Sequence, residues 1–281
     1  MIDILEKELE NFKSREEKFN HLRELLQILI LKIIFDTGFF KNIVFTGGTA
    51  LRILYDLRRF SEDLDFSLVN KKGYSLDKFS ITLKTKLTQY NIEPEVKVKE
   101  KKVVQELSIK FKKILYDLGI SHLSGQSLLI KIEIDTQPPR GGNIEISLVN
   151  KLFMFTITHF DLASLYATKL HACFFRRYTK GRDFYDLLWY LTKGIEPNYM
   201  LLNNTIKQTH KGESLRINRD NFYQFLLEKI SRVDFAKIKR DVERFLVNKN
   251  EVRLLDKEKF IGLIKKKYKE GKESPFAVRQ G

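Results

Sequence analysis

Two aspartates separated by a single residue are the first feature of this sequence that could perform chemistry. Asp63 and Asp65 open the stretch 63–68 (DLDFSL), in which polar and apolar residues alternate. A period of two is typical of a β-strand, so both carboxylates are predicted to project from one face. Like charges held together are costly unless a cation lies between them, and oxygen ligands suit a hard divalent ion. The pair predicts a site for Mg²⁺ or Mn²⁺, although an isolated Asp-x-Asp is also typical of a solvated strand edge.

A glycine pair lies a short distance upstream of the aspartates. Gly47 and Gly48 follow a predicted buried strand at 43–46 and precede a predicted helix at 49–56. Glycines at such a junction let backbone N–H groups approach phosphate oxygens, and the helix N-terminus adds a favourable dipole. The arrangement favours nucleotide binding, whereas an ordinary tight turn would explain the glycines if the acidic strand were absent.

A third carboxylate is expected on a neighbouring strand. Residues 128–136 alternate strictly, which places Glu133 and Asp135 on one face and isoleucines on the other. Either acid could complete the metal site and accept a proton, and we assign Glu133 to the metal. An exposed edge strand would show almost the same pattern.

Composition and charge restrict the partners. The 281-residue chain has 51 Lys and Arg against 36 Asp and Glu, a formal charge of +15, and 43% hydrophobic residues. This excess favours RNA, DNA or nucleotides as partners, although lysine-rich solvated helix faces would also produce it.

Cys173 is the only cysteine, so no intrachain disulfide is possible. The N-terminus lacks the pattern of a signal peptide, and the most apolar stretch, 25–35, is well short of the roughly 18 residues of a membrane span. We therefore expect a cytoplasmic protein without a membrane partner.

The order of the predicted elements indicates an α+β fold. A long amphipathic helix at 15–35 opens the chain, and helices and strands mix up to about residue 157. Beyond residue 158 the pattern is mostly helical. We predict a mixed-sheet domain at 1–157 and a helical domain at 158–281, which would complete the active site and end in a solvated basic tail. The other predicted elements are a helix at 75–90, a hairpin of 95–101 with 103–111, a strand at 144–149, and helices at 160–177, 182–191, 221–230, 235–247 and 257–268.

Four segments resemble one family in their usual order. Residues 45–51 (FTGGTAL) and 59–66 (RFSEDLDF) are similar to the first motifs of the AbiEii/AbiGii nucleotidyltransferase toxins, within the polymerase-beta-like nucleotidyltransferase superfamily. Residues 169–172 (KLHA) and 182–187 (RDFYDL) resemble the two later motifs. The resemblance implies a nucleotidyltransferase-like fold and assigns Gly47, Gly48, Asp63 and Asp65 to nucleotide and metal, and Lys169 and Asp183 to the family's later essential lysine and acid.

Lys169 and Asp183 each have more than one interpretation. Lys169 lies on a predicted helix, where its stem could pack while its ammonium reaches the triphosphate, or it could be an ordinary surface lysine. Asp183 could pair with Lys169, help to orient the acceptor, or simply begin a helix. Arg59 is a candidate phosphate contact, and we assign Thr49 and Ser61 to the nucleotide as well.

The reaction implied is attack by an acceptor hydroxyl on the α-phosphorus of a nucleoside triphosphate, with release of pyrophosphate. The resemblance implies the toxin of a type IV-like toxin–antitoxin system, a cognate antitoxin, and RNA, specifically tRNA, as acceptor. Two alternatives remain: the same chemistry on a small molecule or a protein, and a non-catalytic nucleic-acid-binding protein.

Overall fold

A computed structural model describes residues 1–100, 103–210 and 215–269. These residues form two compact units. The first, here the sheet unit, comprises Met1–Asp56, Phe60–Pro138 and Ile144–Phe160. The second, the helical unit, comprises Leu57–Arg59, Pro139–Asn143 and Asp161–Gly281, of which the last twelve residues lie outside the described part.

The sheet unit contains a seven-stranded mixed sheet built from the described residues. In spatial order the strands are β3 (Pro94–Glu100), β4 (Val104–Phe111), β5 (Leu128–Asp135), β2 (Asp63–Leu68), β1 (Ile43–Thr46), β7 (Met154–Phe160) and β6 (Ile144–Asn150). β2 pairs with β1 in antiparallel and with β5 in parallel orientation, and β1 pairs with β7 in parallel. The strand with the two aspartates is therefore central, and neither it nor β5 is an edge strand.

One face of the sheet forms the hydrophobic core. Ile130, Ile132 and Ile134 of β5 are fully buried, as is Leu64 of β2. α2 (Arg15–Asp36) contacts β5 and β7, and it begins at a capping box in which Ser14 and Glu17 satisfy each other's backbone N–H groups. Burial of the aliphatic face leaves the alternate, polar positions of β2 and β5 on the other side. The sheet unit's further helices are α1 (Ile2–Leu9), α3 (Gly47–Tyr55), α4 (Leu76–Gln89) and α5 (Ile114–Asp117).

The described part of the helical unit consists of helices and short 3₁₀ segments. α6 begins after Asp161, whose carboxylate accepts the Ser164 N–H, and α7 contacts both α6 and α10. Buried aromatic rings fill the interior, with Tyr166 stacked on Tyr190 at 4.2 Å between centroids. The helices are α6 (Leu162–Phe174), α7 (Gly181–Lys193), α8 (Tyr199–Thr209), α9 (Arg219–Ser231), α10 (Phe235–Val242) and α11 (Lys257–Lys269).

The predicted α+β class is confirmed, and so are the long first helix and the antiparallel hairpin of β3 and β4. The sequence pattern missed β7, α1, α5 and α8. The single division at 157/158 remains a prediction. In the structure, Leu57–Arg59 and Pro139–Asn143 belong to the helical unit. The predicted tail beyond residue 269 lies outside the described residues. No helix among the described residues is long and apolar enough to cross a membrane.

Candidate active site

Carboxylates from neighbouring strands share one face of the sheet unit. In the parallel pairing of β2 with β5, Asp65 lies opposite Glu133, Asp63 opposite Lys131, and Ser67 opposite Asp135. Adjacent strands are separated by about 4.8 Å, so Asp65 and Glu133 leave the sheet side by side. All four carboxylates are half-buried. The register brings Asp63, Asp65 and Glu133 together and places Asp135 one step further along.

The glycine turn meets this face at Asp65. Gly47 has a φ of 77°, a conformation that only glycine adopts readily, and a Cβ atom at this position would overlap Asp65 Oδ2. Gly48 is buried in the first turn of α3. The strand β1, the turn and the acidic strand β2 are thus in direct contact.

Thr49 and Ser61 support this region through the backbone. The Thr49 hydroxyl is fully buried and donates to the Asp63 carbonyl, which ties α3 to the start of β2. The Ser61 carbonyl accepts a hydrogen bond of 3.1 Å from the buried amide of Gln27. These contacts fix the approach to the aspartates, while the assignment of both residues to the nucleotide stays a prediction.

The donor set of the acidic face fits a hard divalent cation, because it consists of carboxylate oxygens on adjacent, rigid strands. Within the described chain, however, no three acidic, histidine or cysteine side chains are arranged to hold a metal ion as they stand. The backbone register of Asp63, Asp65 and Glu133 is compatible with such a site.

The later motifs form a buried charge network within the helical unit. The Lys169 ammonium donates to Asp183 Oδ1 at 2.8 Å and lies 2.8 Å from Asp186 Oδ2. Arg59 makes a two-pronged contact with Asp186, from Nε to Oδ1 at 2.5 Å and from Nη2 to Oδ2 at 2.6 Å. Arg176 completes the network with a 3.1 Å hydrogen bond to Asp183 Oδ2. Two carboxylates are therefore shared among three cations.

Mutual attraction keeps these groups charged despite their burial. Burial by itself would lower the pKa of Lys169, but Asp183 and Asp186 outweigh it and raise this pKa above its usual value. Burial would raise the pKa of Asp183, yet Lys169 and Arg176 hold it below the ordinary range. The pKa of Arg59 is likewise raised by Asp186 against the effect of burial.

This network gives Lys169 and Arg59 a different setting from the one that the sequence suggested. Lys169 is buried rather than at the surface, and its ammonium is shared by two carboxylates. Only 2% of Arg59 is exposed, and its guanidinium is engaged by Asp186. Of the options left open for Asp183, the structure contains its pairing with Lys169. Either cation could contact a phosphate only by loosening these ion pairs.

Two acids of these clusters were not identified from the sequence. Glu106 on β4 lies opposite Glu133 and is 6% exposed, so it extends the carboxylate row to a third strand. Its signal was the alternation of Glu106 and Ser108 with Leu107 and Ile109, which we used only to assign a strand. Asp186 lies one helical turn after Asp183, a spacing that puts both on one side of α7.

Two histidines lie near the motifs, one fully buried and one half-buried. His159 is fully buried, with Nδ1 2.7 Å from the Phe160 carbonyl oxygen and Nε2 2.8 Å from Ser147 Oγ. His171 stacks on Phe175 and contacts the Thr209 hydroxyl.

Comparison with known proteins agrees with this arrangement. A family model described as nucleotidyl transferase AbiEii toxin, type IV toxin–antitoxin system, matches residues 29–257. The solved structure of JHP933 from Helicobacter pylori is 21% identical, with a TM-score of 0.55, and the alignment covers 93% of this chain and 98% of that one. A structure described as a candidate nucleotidyltransferase from H. pylori is 20% identical, with a TM-score of 0.55 and coverage of 89% and 95%. No curated protein matches the sequence.

The two solved structures establish a shared fold, and the family match spans most of the chain, including both aspartates of β2 and the charge network. The chain therefore belongs to the AbiEii family of nucleotidyl transferase toxins of type IV toxin–antitoxin systems, and it is a nucleotidyltransferase.

Proposed function

We propose that the protein transfers a nucleotide from a nucleoside triphosphate to an RNA acceptor, specifically tRNA, with Mg²⁺ as cofactor. It acts in the cytoplasm as a toxin that a cognate antitoxin restrains. The observation that carries the catalytic part is the register of Asp65 with Glu133 on adjacent parallel strands, next to the Gly47 turn.

In this proposal Asp63, Asp65 and Glu133 hold the metal. Bound there, Mg²⁺ would neutralise charge on the triphosphate and on the leaving pyrophosphate. Glu133 is preferred over Asp135 because it lies directly opposite Asp65, whereas Asp135 lies opposite Ser67. Asp135 also accepts a 2.9 Å hydrogen bond from the Gln137 N–H, which orients it toward its own loop.

The backbone at Gly47 and Gly48 would receive the triphosphate. Because residue 47 has no side chain, the turn lies in contact with Asp65. Phosphate oxygens bound at the turn would therefore lie next to a metal ion held by the carboxylates. The acceptor hydroxyl then forms a bond to the α-phosphorus as the bond to pyrophosphate breaks. A carboxylate of the acidic face accepts the hydroxyl proton. Most of the catalytic effect comes from positioning and charge neutralisation.

Lys169 and Asp183 act as positioning residues in this scheme. Their network with Arg59 and Asp186 fixes the conformation of residues 57–59, which precede the acidic strand in the chain. Loss of a partner is therefore expected to disturb the approach to β2 even without direct contact with the nucleotide.

RNA as acceptor is supported by the formal charge of +15, because phosphate-rich polymers gain affinity by releasing counterions. Protein and small-molecule acceptors offer no comparable reason for this charge.

The test is incubation of the protein with α-labelled nucleoside triphosphates and separate pools of RNA, protein and small metabolites. We expect label in tRNA, and loss of labelling with EDTA or in Asp65→Asn. Asp77→Asn, an exposed acid at the start of α4, is the matched control and should remain active. Label in the protein or metabolite pool alone would disprove the RNA acceptor, and full activity in EDTA would disprove the metal.

A further inference from the structure

A basic, aromatic loop joins α6 to α7 in the helical unit. Residues 175–180 (FRRYTK) include three cationic side chains and no carboxylate. Arg177 and Tyr178 are exposed, and Tyr178 presents 61% of its surface to solvent. The Lys180 ammonium lies 5.8 Å from the centre of the Tyr178 ring. An aromatic face in solvent is thus bordered by positive charge on both sides in the chain.

Both ends of the loop are fixed. At its start, Arg176 is bonded to the buried Asp183. At its end, the Gly181 N–H donates to Asp241 Oδ2 at 2.5 Å, and a Cβ at residue 181 would overlap the Ile238 carbonyl oxygen. The loop is therefore held before any ligand arrives, which lowers the entropic cost of binding.

The positive surface continues beyond the loop. The Arg182 and Arg244 guanidinium groups lie 4.3 and 4.6 Å from the centre of the same ring, that of Phe245. Two further cations of the helical unit thus lie against one buried ring.

We propose that this loop binds the single-stranded end of an RNA acceptor, with a base stacked on Tyr178 and phosphates contacted by Arg177 and Lys180. An unpaired end is favoured over a duplex because only unstacked bases offer a free face to an aromatic ring. The positive charge of the loop complements a phosphate backbone, and its tyrosine adds an aromatic face on which a base can stack. This inference rests on the proposed RNA acceptor and assigns a surface to it.

The test measures binding of a short fluorescent single-stranded RNA, by anisotropy over a series of salt concentrations and without nucleotide. Tyr178→Ala should weaken binding by at least about five-fold, the lower limit for loss of one base stack, without changing the salt dependence. Arg177→Ala and Lys180→Ala should each reduce the slope of log affinity against log salt by about 0.7, the value for one contact with single-stranded phosphate. Arg177→Lys should restore the slope.

Matched controls exist in the sheet unit. Tyr116 is 53% exposed, and Lys84 is an exposed lysine on α4, so Tyr116→Ala and Lys84→Ala should bind like the wild type. In steady-state transfer assays, Tyr178→Ala should raise KM for RNA while KM for the nucleotide stays unchanged.

Unchanged RNA binding by Tyr178→Ala would overturn the inference, as would equal affinity for the same sequence as a duplex. The inference would also be overturned if Tyr178→Ala lost binding to phosphatidylserine vesicles or to an acidic peptide while its binding of RNA stayed intact. Because binding is measured without turnover, this test is independent of the proposed transfer reaction. If RNA bound through Tyr178 but never received label, RNA would be excluded as the acceptor, whereas the assignment of the loop as an RNA-binding surface would stand.

Discussion

Asp65 Oδ2 occupies the position at which a side chain on Gly47 would begin. The Gly47 turn and the acidic strand β2 therefore constrain each other sterically, and the turn tolerates only glycine at this contact. Residue 47 has two independent requirements, a positive φ and empty space, and they can be separated by experiment.

Gly47→Ala is expected to reduce nucleotidyl transfer by at least about a hundred-fold, because the methyl group displaces the Asp65 carboxylate. Gly38→Ala is the matched control, since Gly38 has a similar φ of 71° but no atom within 4 Å of its would-be Cβ. It should lose about 1–2 kcal/mol of stability and keep its turnover. Equal turnover in the two variants would contradict the steric role of Asp65.

Glu133 and Asp135 should differ in their importance. Glu133→Gln is expected to lower kcat by about a hundred-fold or more and to raise the Mg²⁺ concentration needed for half-maximal activity, because it lies opposite Asp65. Asp135→Asn should lower kcat by less than about ten-fold. Metal titrations of both variants check this, and the reverse order would move the third carboxylate to Asp135.

The buried network should be sensitive to the loss of Asp186. Asp186→Asn keeps the shape of the side chain but leaves Arg59 and Lys169 one charge short, which should cost about 3–5 kcal/mol in the free energy of unfolding. Arg176→Ala should cost no more than about 1 kcal/mol, since 38% of its side chain is exposed. Urea unfolding of both variants measures the difference. Similar losses would mean that burial of the network contributes little.

His171 should make the helical unit less stable in mild acid. Burial, followed by the charges of His210 and Arg176, lowers the pKa of His171 to about 4, whereas an unfolded histidine has a pKa of about 6.5. A folded-state pKa below the unfolded value stabilises the fold above about pH 6.5, and this stability is lost as the pH falls toward 4. The free energy of unfolding, measured by urea denaturation at a series of pH values, should fall less between about pH 6.5 and about 4 in His171→Gln than in the wild type. His122→Gln, at an exposed position, should follow the wild type. If the free energy of unfolding of His171→Gln depended on pH as it does in the wild type, groups other than His171 would cause the acid sensitivity.

The local features of the site were predictable from the sequence. Alternation in 63–68 and 128–136 gave the two strands and the shared faces of their acids, because side-chain direction in a strand follows a period of two. The pairing of Asp65 with Glu133 could not be derived this way, since two parallel strands 68 positions apart can align in many registers.

The partners of the charged residues were less predictable for the same physical reason. Arg59 pairs with Asp186, 127 positions later in the chain, and no local pattern marks that contact. The aliphatic part of Lys169 could be buried while its ammonium lay either in water or against carboxylates. The helical periodicity of the sequence is the same in both cases, so it does not distinguish them. β7 was missed although it forms a local antiparallel hairpin with β6, because it runs directly into α6 and its last residue was assigned to the predicted helix at 160–177.

The central position of β2 also sets an order of events during synthesis. A nascent chain that has emerged from the ribosome only through α4 carries both aspartates but lacks β5, which supplies Glu133, and β7, which flanks β1. Parallel pairing must wait for these later segments, and such non-local contacts form slowly. The acidic site of Asp63, Asp65 and Glu133 can therefore assemble only after nearly half of the chain has been made.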